Sequence, residues 1–195
     1  MPTTGAVSVS DPAANASPYS HATEVAQPGY YAVTLARYQT RAELTGTTRA
    51  ALMRFTFPRT TQANLLAEVS QSINGADPGS VTIVGNHGIE GWVRSDVGYK
   101  LYFDASFDRP FTTSGTWSGS SPSPGSGQAS RYPVGAYLTF DTTGDPTVTM
   151  RVGISYVDQT GAESNLAAEL PQVRASLRRA GRRRQTGTVT CRTSG

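Results

Sequence analysis

From about residue 30 to residue 157 the apolar positions recur at every second residue. Tyr31, Val33 and Leu35 alternate with Ala32, Thr34 and Ala36, and Met53, Phe55 and Phe57 alternate with Leu52, Arg54 and Thr56. A period of two sends successive side chains to opposite faces, so each run predicts a strand with one side turned inward. The same pattern predicts strands over 65–69, 81–84, 89–93, 100–107, 136–140 and 147–156. Turn chemistry separates the runs: Gln27-Pro28-Gly29, the stretch 74–79 with Asn74, Gly75, Pro78 and Gly79, Asn86-His87-Gly88, and Thr143-Gly144-Asp145-Pro146. Short strands broken at regular intervals by such residues predict an antiparallel β-sandwich.

Between Thr112 and Arg131 the chain turns polar, with Ser118-Gly119-Ser120-Ser121-Pro122-Ser123-Pro124-Gly125-Ser126-Gly127 at its centre. Its composition predicts a flexible surface loop inside the domain, because strand-like sequence continues on both sides. After Tyr156 the preference shifts to helix over Glu163 to Leu170, ended by Pro171, with a second helical stretch expected over 173–179. Nothing from Gly181 onward has an apolar face to bury, which predicts disorder. The expected organisation is therefore a mainly β, antiparallel sandwich domain over 1–160, a short helical linker over 161–180 and a disordered Arg-rich tail over 181–195.

Charge changes this picture little. The net charge of +3 comes from the end of the chain, where seven of the sixteen arginines lie after Pro171 with no acid among them. The preceding residues hold ten cations against fourteen acids, an acidic body without the footprint of a nucleic-acid binder. The lone cysteine, Cys191, leaves no intrachain disulfide to form. No apolar run approaches the ~20 residues of a membrane span, and the first residues lack the charged and apolar regions of an export signal. As written the chain is expected to stay in the cytoplasm.

Candidate chemistry is sparse. His21 and His87 are far apart and lack metal-ligand spacing, and neither a nucleophile elbow nor a phosphate-binding loop is present. Glycoside hydrolysis needs two facing carboxyl groups. Asp104 with Asp108, and Glu24 and Glu43 near aromatics, have only the spacing that chance supplies. Trp92, Trp117, Tyr99, Tyr102 and Tyr132 are of the type that stacks on sugar rings, although a core short of Ile and Leu has a prior need for them.

One region is more specific. The run His21-Ala22-Thr23-Glu24-Val25-Ala26-Gln27-Pro28-Gly29-Tyr30-Tyr31-Ala32-Val33-Thr34-Leu35, then Arg41-Ala42-Glu43-Leu44-Thr45-Gly46-Thr47-Thr48-Arg49 and Arg54-Phe55-Thr56-Phe57-Pro58, resembles the N-terminal domain of glycoside hydrolase family 92. Val152-Gly153-Ile154-Ser155-Tyr156-Val157 and Asn165-Leu166-Ala167-Ala168-Glu169-Leu170-Pro171 resemble the end of that domain and the start of its linker helix.

The resemblance implies a β-sandwich of the galactose mutarotase-like supersandwich type, belonging to a calcium-dependent exo-α-mannosidase that acts on mannose-containing glycans with inversion. It implies that catalysis and calcium binding lie in an (α/α)₆ barrel absent from this chain, so that no catalytic residue, metal ligand or cofactor falls here and the domain is inactive alone. It further implies an extracellular or periplasmic setting for intact relatives, sequence upstream of Met1, and a tail that departs from the family after Pro171, as a frameshift produces. Within the motif, Pro28, Gly29, Tyr30, Tyr31, Glu43, Phe55, Phe57 and Pro58 are expected to be structural, with Glu43 pairing to Arg49 across neighbouring strands. His21, Glu24 and Arg49 are the candidates for the cleft where mannose binds. An independent carbohydrate-binding module and an interaction scaffold are the other functional classes compatible with the residues. A sandwich cut from its partner is expected to be poorly soluble.

Overall fold

A computed structural model of the chain describes residues 1–9, 12–72, 75–76, 78–95 and 97–171. In chain order its strands are β1 (Pro2–Thr4), β2 (Val25–Gln27), β3 (Tyr30–Leu35), β4 (Thr40–Gly46), β5 (Ala50–Thr56), β6 (Ala63–Glu68), β7 (Gln71–Ser72), β8 (Gly75–Ala76), β9 (Gly79–Val84), β10 (Gly88–Arg94), β11 (Lys100–Phe107), β12 (Thr113–Ser118), β13 (Pro122–Pro124), β14 (Gln128–Arg131), β15 (Val134–Phe140) and β16 (Thr147–Ser155). One helix, α1 (Gln159–Glu169), follows. Nine strands form one antiparallel sheet in the order β14-β9-β10-β11-β16-β5-β4-β3-β2, and five form a second in the order β1-β6-β15-β12-β13.

The alternation read from the sequence explains why the sheets face each other. Val33, Ala42, Phe55, Val148, Ala105, Ile89 and Val81 of the large sheet share one buried cluster with Ala63, Leu65, Ala136, Leu138 and Phe140 of the small one. The fold is the predicted antiparallel sandwich. On the outer side of the large sheet, Leu166 of α1 and Leu170 just after it lie over Ala50 and Leu52. Gly153 admits the helix: a Cβ there would lie 2.4 Å from the Ala162 carbonyl and 2.7 Å from Leu166 Cβ. The helix begins four residues before the predicted Glu163 because Asp158 caps it, its carboxylate accepting the Gly161 N–H at 2.6 Å. It ends before Pro171, as predicted. The expected second helical stretch over 173–179 and the expected disordered tail lie outside the described residues.

The expectation of a flexible loop between Thr112 and Arg131 is corrected. The segment holds β12, β13 and β14, and crosses from the small sheet to the large one. Trp117 is buried on the outer face of the small sheet against Leu66, Tyr137 and Val9. The neighbouring polar side chains satisfy themselves within the sheets: the Thr116 hydroxyl donates to the Gln128 carbonyl at 3.2 Å and that of Ser118 to the Ser130 carbonyl at 3.1 Å.

Candidate functional site

Pro28 and Gly29 reverse the chain between β2 and β3. Gly29 has φ +80°, the left-handed value that glycine adopts without steric cost, and Gln27 pairs directly with Tyr30. The strand that follows must then send its two tyrosines to opposite faces of the large sheet, and each hydroxyl finds a different carboxylate.

On the inner side, Tyr31 packs against the core and donates its hydroxyl to Glu24 Oε1 at 2.7 Å. The other oxygen of Glu24 lies 2.5 Å from His21 Nδ1. Ser20 fixes the turn that carries the histidine, its hydroxyl accepting the Ala22 N–H at 3.2 Å and its carbonyl the Thr23 N–H at 3.0 Å. The Tyr19 ring stands edge-on to the imidazole, centroids 5.5 Å apart at 84°. The hydrogen bond from His21, then that from Tyr31, holds the Glu24 carboxyl below the usual carboxylate range, and the same bond raises the Tyr31 phenol.

On the outer side, Tyr30 donates to Glu43 Oε1 at 2.6 Å. Glu43 is buried and would be raised by desolvation alone. The hydrogen bond from Tyr30 and the guanidinium of Arg54 outweigh that burial and bring its carboxyl below its ordinary value. The expected pairing of Glu43 with Arg49 is corrected: the β4–β5 register sets Glu43 opposite Arg54, while Arg49 lies in the turn between those strands. Arg49 instead reaches Glu169 of α1, by Nε at 2.9 Å and by its backbone N–H at 2.9 Å, and the Thr47 hydroxyl donates to the same carboxylate. Arg151 donates to the Leu170 carbonyl at 2.7 Å, closing the end of the helix.

The three cleft candidates are thus divided. His21 and Glu24 share one hydrogen-bonded cluster with Tyr31, and Arg49 belongs to the anchor of α1. Phe55 and Phe57 are core residues, and Pro58 lends its carbonyl to the Thr142 hydroxyl at 2.9 Å. Of the aromatics weighed for sugar stacking, Trp117 is buried. Trp92 is half-covered by the Lys100 ammonium, 4.1 Å from its ring centroid, and Tyr99 stands exposed against Tyr156 at 5.4 Å. Tyr156 and Glu169 lie in the segments that carry the family resemblance, but no local pattern marks their partners. The His21–Glu24 pair has one, since residues three apart meet across a helical turn.

A family model described as the glycosyl hydrolase family 92 N-terminal domain matches residues 1–155. The chain belongs to this family. Among solved structures, the family 92 domain is similar to an α-mannosidase of Bacteroides thetaiotaomicron at 26% identity and a TM-score of 0.82, covering 92% of this chain and 26% of that one. The same mannosidase has been solved in complex with mannoimidazole. An inverting mannosidase of Bacteroides thetaiotaomicron matches at 23% identity and a TM-score of 0.82, covering 93% of this chain and 24% of that one. A further family 92 glycosyl hydrolase matches at 24% identity and a TM-score of 0.82, covering 94% of this chain and 26% of that one. These last two likenesses bear on the fold alone. The family 92 domain spans about a quarter of the length of the solved chains that it matches. Comparison with curated protein sequences gives no match.

The calcium that family 92 implies takes six to eight oxygen ligands. The carboxylates of the motif are already engaged: Glu24 by His21 and Tyr31, Glu43 by Tyr30 and Arg54, Glu169 by Thr47 and Arg49. Among the described residues no three His, Cys, Asp or Glu side chains gather about one point. The described part of the family 92 domain does not fit a calcium cage. No helix among the described residues is long and apolar enough to cross a membrane.

Proposed function

We propose that this domain is the non-catalytic N-terminal support of an exo-α-mannosidase that releases terminal mannose from glycans with inversion, the acid, the base and the calcium belonging to a helical barrel of the same protein. The observation that carries the reading is the similarity to the Bacteroides α-mannosidase, which extends over 92% of this chain while taking up 26% of that one. The motif residues agree with it. Inversion requires an acid and a base roughly 6.5–9.5 Å apart with room for water between them. Glu24 and Glu43 face opposite sides of one sheet, each with its oxygens engaged by protein donors, which suits them to architecture rather than to attack on a glycosidic bond.

In this reading Arg49 and Glu169 fix the direction in which the chain leaves the sandwich, and His21 with Glu24 faces the cleft shared with the barrel. Incubating the chain alone with a fluorogenic α-mannoside and calcium tests the assignment. No hydrolysis is expected, and turnover that survives repurification would overturn it.

A further inference from the structure

The His21–Glu24–Tyr31 cluster is more elaborate than a turn requires. A carboxylate 2.5 Å from Nδ1 makes that nitrogen the donor, and in the neutral imidazole Nε2 is then the acceptor. That nitrogen belongs to a side chain that is 83% exposed, while Glu24 behind it is only 22% exposed and is gripped a second time by Tyr31. Long exposed side chains ordinarily wander; this one is held in place from behind and open in front. Beside it Tyr19 is 53% exposed, its ring at 84° to the imidazole. The two exposed rings stand side by side and nearly perpendicular, their centroids 5.5 Å apart.

We propose that Tyr19 and His21 form a shallow hexose subsite, in which a sugar rests its C–H face on Tyr19 and donates a hydroxyl hydrogen to Nε2 of His21. The inference rests on the reading of this domain as part of a mannosidase, and names the group through which the sandwich touches the glycan. A neutral polyol suits the pair better than the alternatives. A metal ion would need further ligands, and among the described residues none gather there. An anion would meet the carboxylate of Glu24 behind the ring. Stacking on an aromatic face with a few directed hydrogen bonds is the combination by which small polar ligands are held. Glu24 and Tyr31 are positioning residues, which act through His21.

The chain has two histidines, so a sample labelled with ¹⁵N-histidine gives one reporter at His21 and an internal control at His87. Titration of the full chain with methyl α-D-mannopyranoside is expected to move the His21 Nε2 resonance saturably, with Kd on the order of 1–10 mM, and to leave His87 unmoved. Tyr19→Ala and Glu24→Gln are each expected to weaken binding about tenfold, Glu24→Gln also shifting His21 away from the Nδ1–H tautomer. The unchanged His87 signal shows that each variant is folded. A His21 signal unmoved by sugar in the folded chain, or a shift that survives Tyr19→Ala, overturns the subsite. A saturable shift in a domain that fails to support mannosidase activity when joined to a barrel would instead sink the functional reading and leave the subsite standing.

Discussion

Arg54 holds Glu43 with two nitrogens, Nε to Oε2 at 2.8 Å and Nη2 to Oε1 at 2.8 Å, from the position directly across the β4–β5 pair. Two parallel hydrogen bonds from a planar fork fix orientation as well as charge. Glu43 in turn receives the Tyr30 hydroxyl at 2.6 Å, so the residues after the Pro28-Gly29 turn and the two strands beside it are tied at one carboxylate.

Removing one partner of this pair strands the other. Glu43 is 8% exposed in its side chain and Arg54 41%, so solvent softens the loss. Arg54→Ala is expected to cost about 2 kcal/mol, below the range of a fully buried pair. Urea unfolding measures it; Glu43→Gln, which keeps the shape and one acceptor, is expected to cost less.

Acid should unfold the domain through the same carboxylates. The pull of His21 and Tyr31 on Glu24, and the bonds that outweigh burial at Glu43 and Glu169, leave all three below their ordinary values. A carboxyl depressed on folding stabilises fully above its unfolded pKa of about 4.3, and the benefit is lost as pH falls through the folded value. These three carboxyls are therefore expected to make the melting temperature fall as pH drops below ~4. Calorimetry across that range checks the sign.

Asp104 acts in the opposite direction. Burial first, then the charges of Glu163 and Glu90, raise its carboxyl, with Arg151 pulling the other way. Its charge costs stability at neutral pH and costs nothing once the group is protonated in both states. Asp104→Asn is expected to raise the melting temperature at pH 7 and to leave it unchanged at pH ~3.

The seat of α1 is a packing contact. Leu166 is buried against Ala50, Leu52 and Leu170, and Leu166→Ala is expected to cost ~3 kcal/mol. Gly153→Ala places a Cβ 2.4 Å from the Ala162 carbonyl, so it should lift the helix from the sheet. Faster amide exchange over 159–169 in both variants, with the strands unchanged, is the expected record.

The predicted strands were legible because the period of two survives where one face is apolar, while β1, β2 and β4 were not among them, although Ala42 and Leu44 of β4 alternate inward in the same way. Lys100–Phe107 falls where the alternation places it, and the other predicted strands lie within a few residues of those observed. The segment 112–131 was illegible because its burial is local and polar: Trp117 lies over Gly135, where a Cβ would come 2.1 Å from the indole, and Thr116 hides its hydroxyl on a carbonyl. The site was half legible. His21 and Glu24 meet within one turn, but the partner of Glu43 depends on hairpin register and that of Arg49 lies 120 residues away. No local pattern encodes either.

Whether this domain supports a mannosidase barrel is decided by grafting residues 1–171 into the Bacteroides α-mannosidase in place of the segment that they overlay. A folded chimera that releases mannose from an α-mannoside in a calcium-dependent way is the expected result. A folded chimera with no mannosidase activity, beside an active parent, would contradict it.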